Sequence, residues 1–303
     1  MIDRRLSCKF FKGRQKVAQK AQVRHVLVLG ANGKVGRMVR ASWESRDDGP
    51  RITAVARRPE AGVLQWAPGA PLDVLPNVDA IIALWGVTAG PSADLGANST
   101  LALTAMRVAQ AVGADRVLHC SSAAVYSEST EPLTEVHPCK PASSYGAAKL
   151  TMETALDAYA AAHPQGPRPV SLRIGNVAGA ESLFAAMRGS NSITLDRFGG
   201  KEGGGPLRSY IGPSDLGKVL ETLALVPVGQ LASVYNVSAP RPTGMELIAR
   251  AAGREVVWRD APPTAIRQVV LDTSRLEAVC ALASESAEAE HLVADWQRWS
   301  PKQ

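Results

Sequence analysis

Apolar and polar positions alternate along this chain between two kinds of run. His25–Leu29 reads His-Val-Leu-Val-Leu, the nearly unbroken apolar character of a parallel strand covered on both faces. Ile52–Ala56, Ala80–Trp85, Arg116–Cys120 and Pro169–Ile174 read the same way. Between them lie stretches with helical spacing: one through Val35, Met38, Val39 and Trp43, one over Asn98–Val112, and a long one over Ser144–Ala162 that His163-Pro164 ends. Strands alternating with helices of this length predict a doubly wound, right-handed parallel α/β sheet of the Rossmann type.

After Asn176 the pattern loosens. Gly199, Gly200, Gly203, Gly204 and Gly205 mark a loop, either a mobile lid or a tolerated surface excursion. A helix over Ser214–Leu225 and a strand over Val234–Val237 return to the sheet. Helices near Met245–Ala252 and Ser284–Trp299 belong to a smaller C-terminal unit, predicted to cap the carboxyl edge of the sheet and bind substrate. The expected organisation is therefore a tail at 1–22, a dinucleotide-binding domain at 23–176 with 212–238 rejoining it, and a cap formed by 177–211 and 239–303.

The chain has 303 residues, 46% of them hydrophobic and 20% charged, enough for a sizeable core. Its formal charge of +6 is unevenly placed. Residues 1–24 hold eight lysines and arginines against the single acid Asp3, a net of +7, which leaves the remainder at −1. That tail reads as a disordered basic arm, a targeting peptide or read-through from an upstream start; a mobile appendage outside the fold is the favoured expectation. It lacks the apolar stretch of a secretory signal. No nucleic-acid partner is expected for the near-neutral body, and no membrane partner, because the longest apolar run, Ala80–Val87, is far below the ~20 residues of a spanning helix. Four cysteines without C-x-x-C spacing, and histidines without H-E-x-x-H, give no metal site and fit a reducing cytoplasm. There is no G-x-S-x-G elbow.

Two motifs carry chemistry. Gly30-Ala31-Asn32-Gly33-Lys34-Val35-Gly36 is G-x-x-G-x-x-G between a strand and a helix. Such glycines allow a tight turn and close approach of backbone to a pyrophosphate, which the helix N-terminus then faces. The second strand ends in Arg57-Arg58, with no carboxylate before Glu60. Two guanidiniums there suit the 2′-phosphate of NADP, with NAD the alternative. Tyr145-Gly146-Ala147-Ala148-Lys149 sets a phenol and an ammonium at i and i+4 on one helix face, so that the cation, with the positive ring of an oxidised nicotinamide nearby, makes the phenolate accessible near neutral pH. Tyr145 is then a general acid or base for carbonyl chemistry, with Ser122 orienting the substrate oxygen and Ser121 structural.

Taken in order, these motifs resemble the NAD-dependent epimerase/dehydratase family of extended short-chain dehydrogenases/reductases, over roughly Val23 to Cys280. The resemblance implies Gly30, Asn32, Gly33, Lys34, Val35 and Gly36 as the dinucleotide loop, Asp73-Val74 at the adenine, and Leu84-Trp85-Gly86 with Asn98 along the cofactor. It implies Ser122, Tyr145 and Lys149 as the catalytic set, the last two also touching the cofactor together with Ile174. It implies Asn176, in Leu172-Arg173-Ile174-Gly175-Asn176, and Arg208, in Leu207-Arg208-Ser209-Tyr210-Ile211, at a substrate diphosphate. Members of this family usually pair as homodimers through the helices around 98–112 and 144–162.

Departures narrow the reaction. Family 4,6-dehydratases carry Asp-Glu where this chain has Ala123-Ala124, and epimerases that work through a cysteine carry it at Ala124. Hydride transfer alone remains: a keto-sugar or other ketone reductase, towards which Arg57-Arg58 tilts the reading, or a 4-epimerase, on a nucleotide-linked or phosphorylated substrate. The alternative is an NADP(H)-binding sensor or scaffold without turnover.

Overall fold

The computed structural model describes residues 25–200 and 202–300. The basic tail lies outside them. In chain order the elements are β1 (His25–Leu29), α1 (Lys34–Glu44), β2 (Arg51–Ala56), β3 (Leu64–Gln65), β4 (Ala80–Ala83), α2 (Ala97–Val112), β5 (Arg116–Ser122), α3 (Ser144–Ala162) and β6 (Arg168–Ile174). There follow β7 (Asn176–Val177), α4 (Ser182–Gly189), β8 (Ser192–Arg197), β9 (Leu207–Arg208), β10 (Tyr210–Ile211), α5 (Pro213–Leu225) and β11 (Val234–Val237). The chain finishes through β12 (Thr243–Gly244), α6 (Met245–Ala251), β13 (Glu255–Asp260), β14 (Gln268–Val269), α7 (Ser274–Glu277) and α8 (Ala289–Trp299).

Seven strands form the central sheet in the order β3-β2-β1-β4-β5-β6-β11, every pair parallel. This is the predicted doubly wound α/β sheet. β1 shows why an unbroken apolar strand is required. Val26 and Val28 enter the core on one face, with Met38 and Trp43 of α1 and Leu216 and Leu220 of α5. Leu27 and Leu29 enter the other, with Ala105 and Met106 of α2 and Met152 and Leu156 of α3. Alternating side chains are buried on both sides. Strand order reverses between β1 and β4, and the crevice at their carboxyl ends is where open sheets of this kind take ligands.

Several boundaries differ from the sequence reading. The strand beginning at Ala80 stops at Ala83, because the backbone turns away once Leu84 N has donated to Leu29 O at 2.9 Å. The helix expected over Ser284–Trp299 is broken: a 3₁₀ turn covers Ser284–Ala287, Glu288 is extended (φ −74°, ψ 140°), and α8 starts after it. A third core gathers Leu183, Phe184, Tyr210, Ile248, Leu292 and Trp296 from α4, β10, α6 and α8. α8 also ties back to the sheet layer, Asp295 accepting from the backbone of Ser214 at 2.8 Å and Trp299 donating to the Ser214 hydroxyl at 2.7 Å. Gly199–Gly205 closes on itself through Phe198 N to Gly204 O at 3.0 Å, and its described residues line neither site cavity.

Candidate active site

The glycine turn follows directly from β1. Gly30 has φ +81°, and a Cβ there would stand 2.6 Å from the Trp85 nitrogen; one on Gly36 would stand 2.7 Å from Gly30 O. Only glycine meets both demands at position 30, the left-handed backbone and the contact. The amides of Gly30 and Ala31 donate to Val55 O, and Gly33 starts α1 with no side chain capping it. The first amides of α1 are thus left for a ligand.

Beside this turn opens a cleft of about 530 Å³ lined by Gly30, Asn32, Gly33, Arg37, Arg57, Arg58, Glu60, Trp66, Leu84, Trp85 and Gly86. Two polar atoms in its wall, Asn32 Oδ1 and Trp85 Nε1, are buried without a hydrogen-bond partner. A glycine cradle, orphaned donor and acceptor atoms and two exposed guanidiniums fit a dinucleotide. Lys34 instead lines a smaller neighbouring cavity of about 110 Å³ with Arg37 and Arg188, and Val35 packs against the core. Glu60 is engaged by Arg37 at 3.3 Å and by Arg40 at 3.9 Å.

Two sequence expectations are placed elsewhere. Asp73 and Val74 are exposed and outside the cleft, where the loop after β3 bulges away. Trp66, next to β3, takes the wall instead, stacked on Trp85 with centroids 6.3 Å apart. Asn98 is buried and spends its amide on the backbone: it accepts from Val87 N at 3.1 Å and donates to Val87 O and Leu95 O at 3.0 Å. It shapes the turn that carries Gly86.

The reacting end is built where β5 stops. Ser122 closes the strand, and its hydroxyl accepts from Ala124 N at 3.2 Å at the start of a 3₁₀ turn, Ala123–Val125. Ser143 caps α3 by accepting from Gly146 N at 3.0 Å, which sets Tyr145 in the first turn of the helix. One turn on, Lys149 is 4% exposed and donates to Cys120 O at 2.8 Å. A methyl on Gly86 would stand 3.2 Å from Lys149 Nζ. The lysine therefore lies behind Gly86 in the wall of the cleft beside the glycine turn, while Ser122 borders a second cavity.

Lys149 Nζ lies 5.8 Å from the centroid of the Tyr145 ring, turned to the carbonyl. Burial pushes the Tyr145 phenol above its ordinary value, Cys120 adds to this, and the Ser122 side chain opposes it. Burial likewise draws the Lys149 ammonium down, with Cys120 and Glu153 working against that. Burial thus favours the protonated form of the Tyr145 phenol.

The second cavity, about 240 Å³, is lined by Ser122, Ala123, Ala124, Tyr126, Glu128, Ser143, Ile174, Asn176, Arg208 and Gln268, among others. Ile174, expected at the cofactor, lies here. Arg208 lines it too, but its guanidinium donates to Leu207 O at 2.8 Å, Arg267 O at 3.1 Å and Ile266 O at 2.7 Å. Sequence reading did not single out Trp66, Glu128 or Gln268, which the structure brings to the walls of the two cavities and which no local motif marks. A broader groove of about 740 Å³ along Arg241, Leu247, Arg250 and Glu288 holds none of the expected residues. Among the described residues no cluster of three or more metal-ligating side chains occurs, and no helix is long and apolar enough to cross a membrane.

The family model described as the NAD dependent epimerase/dehydratase family matches residues 26–198. A curated UDP-glucose 4-epimerase of Corynebacterium glutamicum is 42% identical over 84 residues, which are 27% of this chain and 25% of that protein. The match thus spans about a quarter of that relative's length. MoeE5, solved with UDP-glucose and NAD, superposes with a TM-score of 0.73 at 20% identity, over 90% of this chain and 98% of its own. TunA, an NAD-dependent NDP-hexosamine 5,6-dehydratase, gives 0.72 at 21% identity, over 91% and 97%. At such identities the superpositions establish the fold alone. The family match, covering more than half of the chain and every element that builds the glycine turn and the Ser122–Tyr145–Lys149 cluster, places this protein in the NAD-dependent epimerase/dehydratase family.

Proposed function

We propose that the protein is a nicotinamide-dependent oxidoreductase that transfers hydride at one secondary carbon of a nucleotide-linked sugar, in the ketone-reducing sense. The observation that carries this reading is the convergence of Ser122, Tyr145 and Lys149 between two cavities, the lysine behind Gly86 in the wall of one and the serine lining the other. A bound nicotinamide supplies the hydride. Tyr145, whose protonated form burial favours, gives its proton to the carbonyl oxygen, Ser122 orients that oxygen, and Lys149, 5.8 Å from the ring centroid, keeps a positive charge near the developing phenolate. Ala123 and Ala124 line the substrate cavity without a proton to exchange, which disfavours elimination of water.

Arg57 and Arg58 on the cleft wall, with Glu60 already engaged by two arginines, support NADP(H) over NAD. Asn176 and Arg208 in the second cavity support a phosphorylated substrate. The Corynebacterium relative favours a second reading, 4-epimerisation. NADPH with UDP-4-keto-6-deoxyglucose, and UDP-galactose without added reductant, separate the two: the reductase consumes one NADPH per turnover, the epimerase none. Tyr145→Phe is expected to lower turnover by about 10²- to 10⁴-fold while binding cofactor normally. Cofactor binding without turnover of either sugar would leave the sensor reading.

A further inference from the structure

A buried polar cluster lies beneath the substrate cavity, and the chemistry above leaves it without a task. Glu153 and Arg173 are 4% and 6% exposed. Arg173 Nη2 donates to Glu153 Oε2 at 2.7 Å, and its Nε meets both carboxylate oxygens at 3.2 Å. Ser121 also donates to Glu153. On its other side Arg173 donates to the Tyr126 hydroxyl and to Glu135 O, each at 3.0 Å, and Tyr126 donates to Asn236 at 2.7 Å. A buried ion pair is on average no more stabilising than apolar residues of the same volume. Stability alone therefore does not account for it.

The placement of its members does. Glu153 stands one turn beyond Lys149 on α3, Ser121 directly precedes Ser122 on β5, and Arg173 directly precedes Ile174 on β6, whose side chain lines the substrate cavity. One carboxylate thus links α3 and β5, which carry the reacting groups, to β6, which lines the substrate cavity. Its charge also acts on Lys149, working against the loss of the ammonium to burial.

We infer that Glu153 is a positioning residue: paired with Arg173, it clamps β5 to α3 so that Ser122 and Tyr145 keep one fixed geometry. This rests on the catalytic reading above. Glu153 touches neither cavity, so its effect passes through Ser122 and Lys149.

A double-mutant cycle in the full-length chain tests it, with UDP-galactose and with UDP-4-keto-6-deoxyglucose plus NADPH as substrates. Glu153→Gln is expected to leave NADPH affinity and KM within about threefold and to lower kcat by roughly 10- to 100-fold, but to cost less than about threefold in a Ser122→Ala background. Equal losses in both backgrounds, or a loss that falls on KM rather than on kcat, would overturn the proposal. If Glu153→Gln does not fold by circular dichroism, Ser121→Ala, which keeps the ion pair, enters the same cycle with the same criterion of non-additivity. A wild type silent toward both substrates, or Ser122→Ala at full speed, overturns the catalytic reading itself; a slow Ser122→Ala with an additive cycle overturns only the clamp.

Discussion

Gly146 and Ala124 approach so closely that a Cβ on the glycine would stand 2.1 Å from the alanine's carbonyl oxygen. The contact presses the first turn of α3 against the turn that follows Ser122, and it sets how far Tyr145 lies from that serine. Gly146→Ala must push the two segments apart. Overpacking of this kind costs about 1–3 kcal/mol, so thermal melts should show a lower Tm and kcat should fall with Tyr145 itself unchanged. Wild-type stability and turnover in this variant would show that the contact is not what spaces the two residues.

The direction of the Tyr145 shift sets a pH profile. Its pKa is raised, so the proton-donating form persists through its ordinary titration range, near ~10, and is lost only above it. Ketone reduction should therefore hold its rate from neutrality through the ordinary phenol value near ~10 and decline only above it. A decline that starts near pH 7 would mean that another group supplies the proton.

His119 offers a stability test away from the chemistry. It is buried, its Nε2 lies 3.2 Å from Met106 Sδ, and burial, aided by Lys149, pulls its pKa down to about 3. The unfolded chain takes up a proton at this residue below its ordinary value of 6.5, and the folded chain does not until about 3. Its contribution to stability is whole above 6.5 and is lost as pH falls through that window, at about 1.4 kcal/mol per pH unit. Urea melts of His119→Leu and wild type between pH 7 and 4 should differ by that slope, the variant being the flatter.

Arg57 and Arg58 predict cofactor choice. Charge-assisted hydrogen bonds to a 2′-phosphate are worth about 1.5–3 kcal/mol, so Arg57→Ala/Arg58→Ala should cut the NADP:NAD ratio of kcat/KM by roughly 10- to 100-fold. Glu60→Gln should not lower NADH affinity. If it does, Glu60 is reading a ribose hydroxyl and the preference is for NAD.

The fold was legible because doubly covered strands are hard to disguise. β1, β11 and α3 occupy the spans their apolar patterns predict, since period and length alone specify them. Local motifs also mark Gly30 at the end of β1, Ser122 at the end of β5, and Tyr145 with Lys149 in the first turns of α3. Tertiary contacts were not legible. Nothing in sequence says that Asn98 turns to Val87, that Asp73 bulges outward, or that Arg208 meets the 266–267 backbone, because each depends on where a distant loop runs. Nor does the i, i+4 spacing say that Lys149 turns to the Cys120 carbonyl or that burial raises the Tyr145 phenol.

Arg208 already has three backbone oxygens as acceptors. Those bonds use three of the five N–H donors of the guanidinium and fix its plane, so the remaining two, on Nε and Nη2, are held in one orientation. Whatever shifts the 266–267 backbone must therefore turn the arginine with it, and the aim of those two donors is set by a segment far from the sheet.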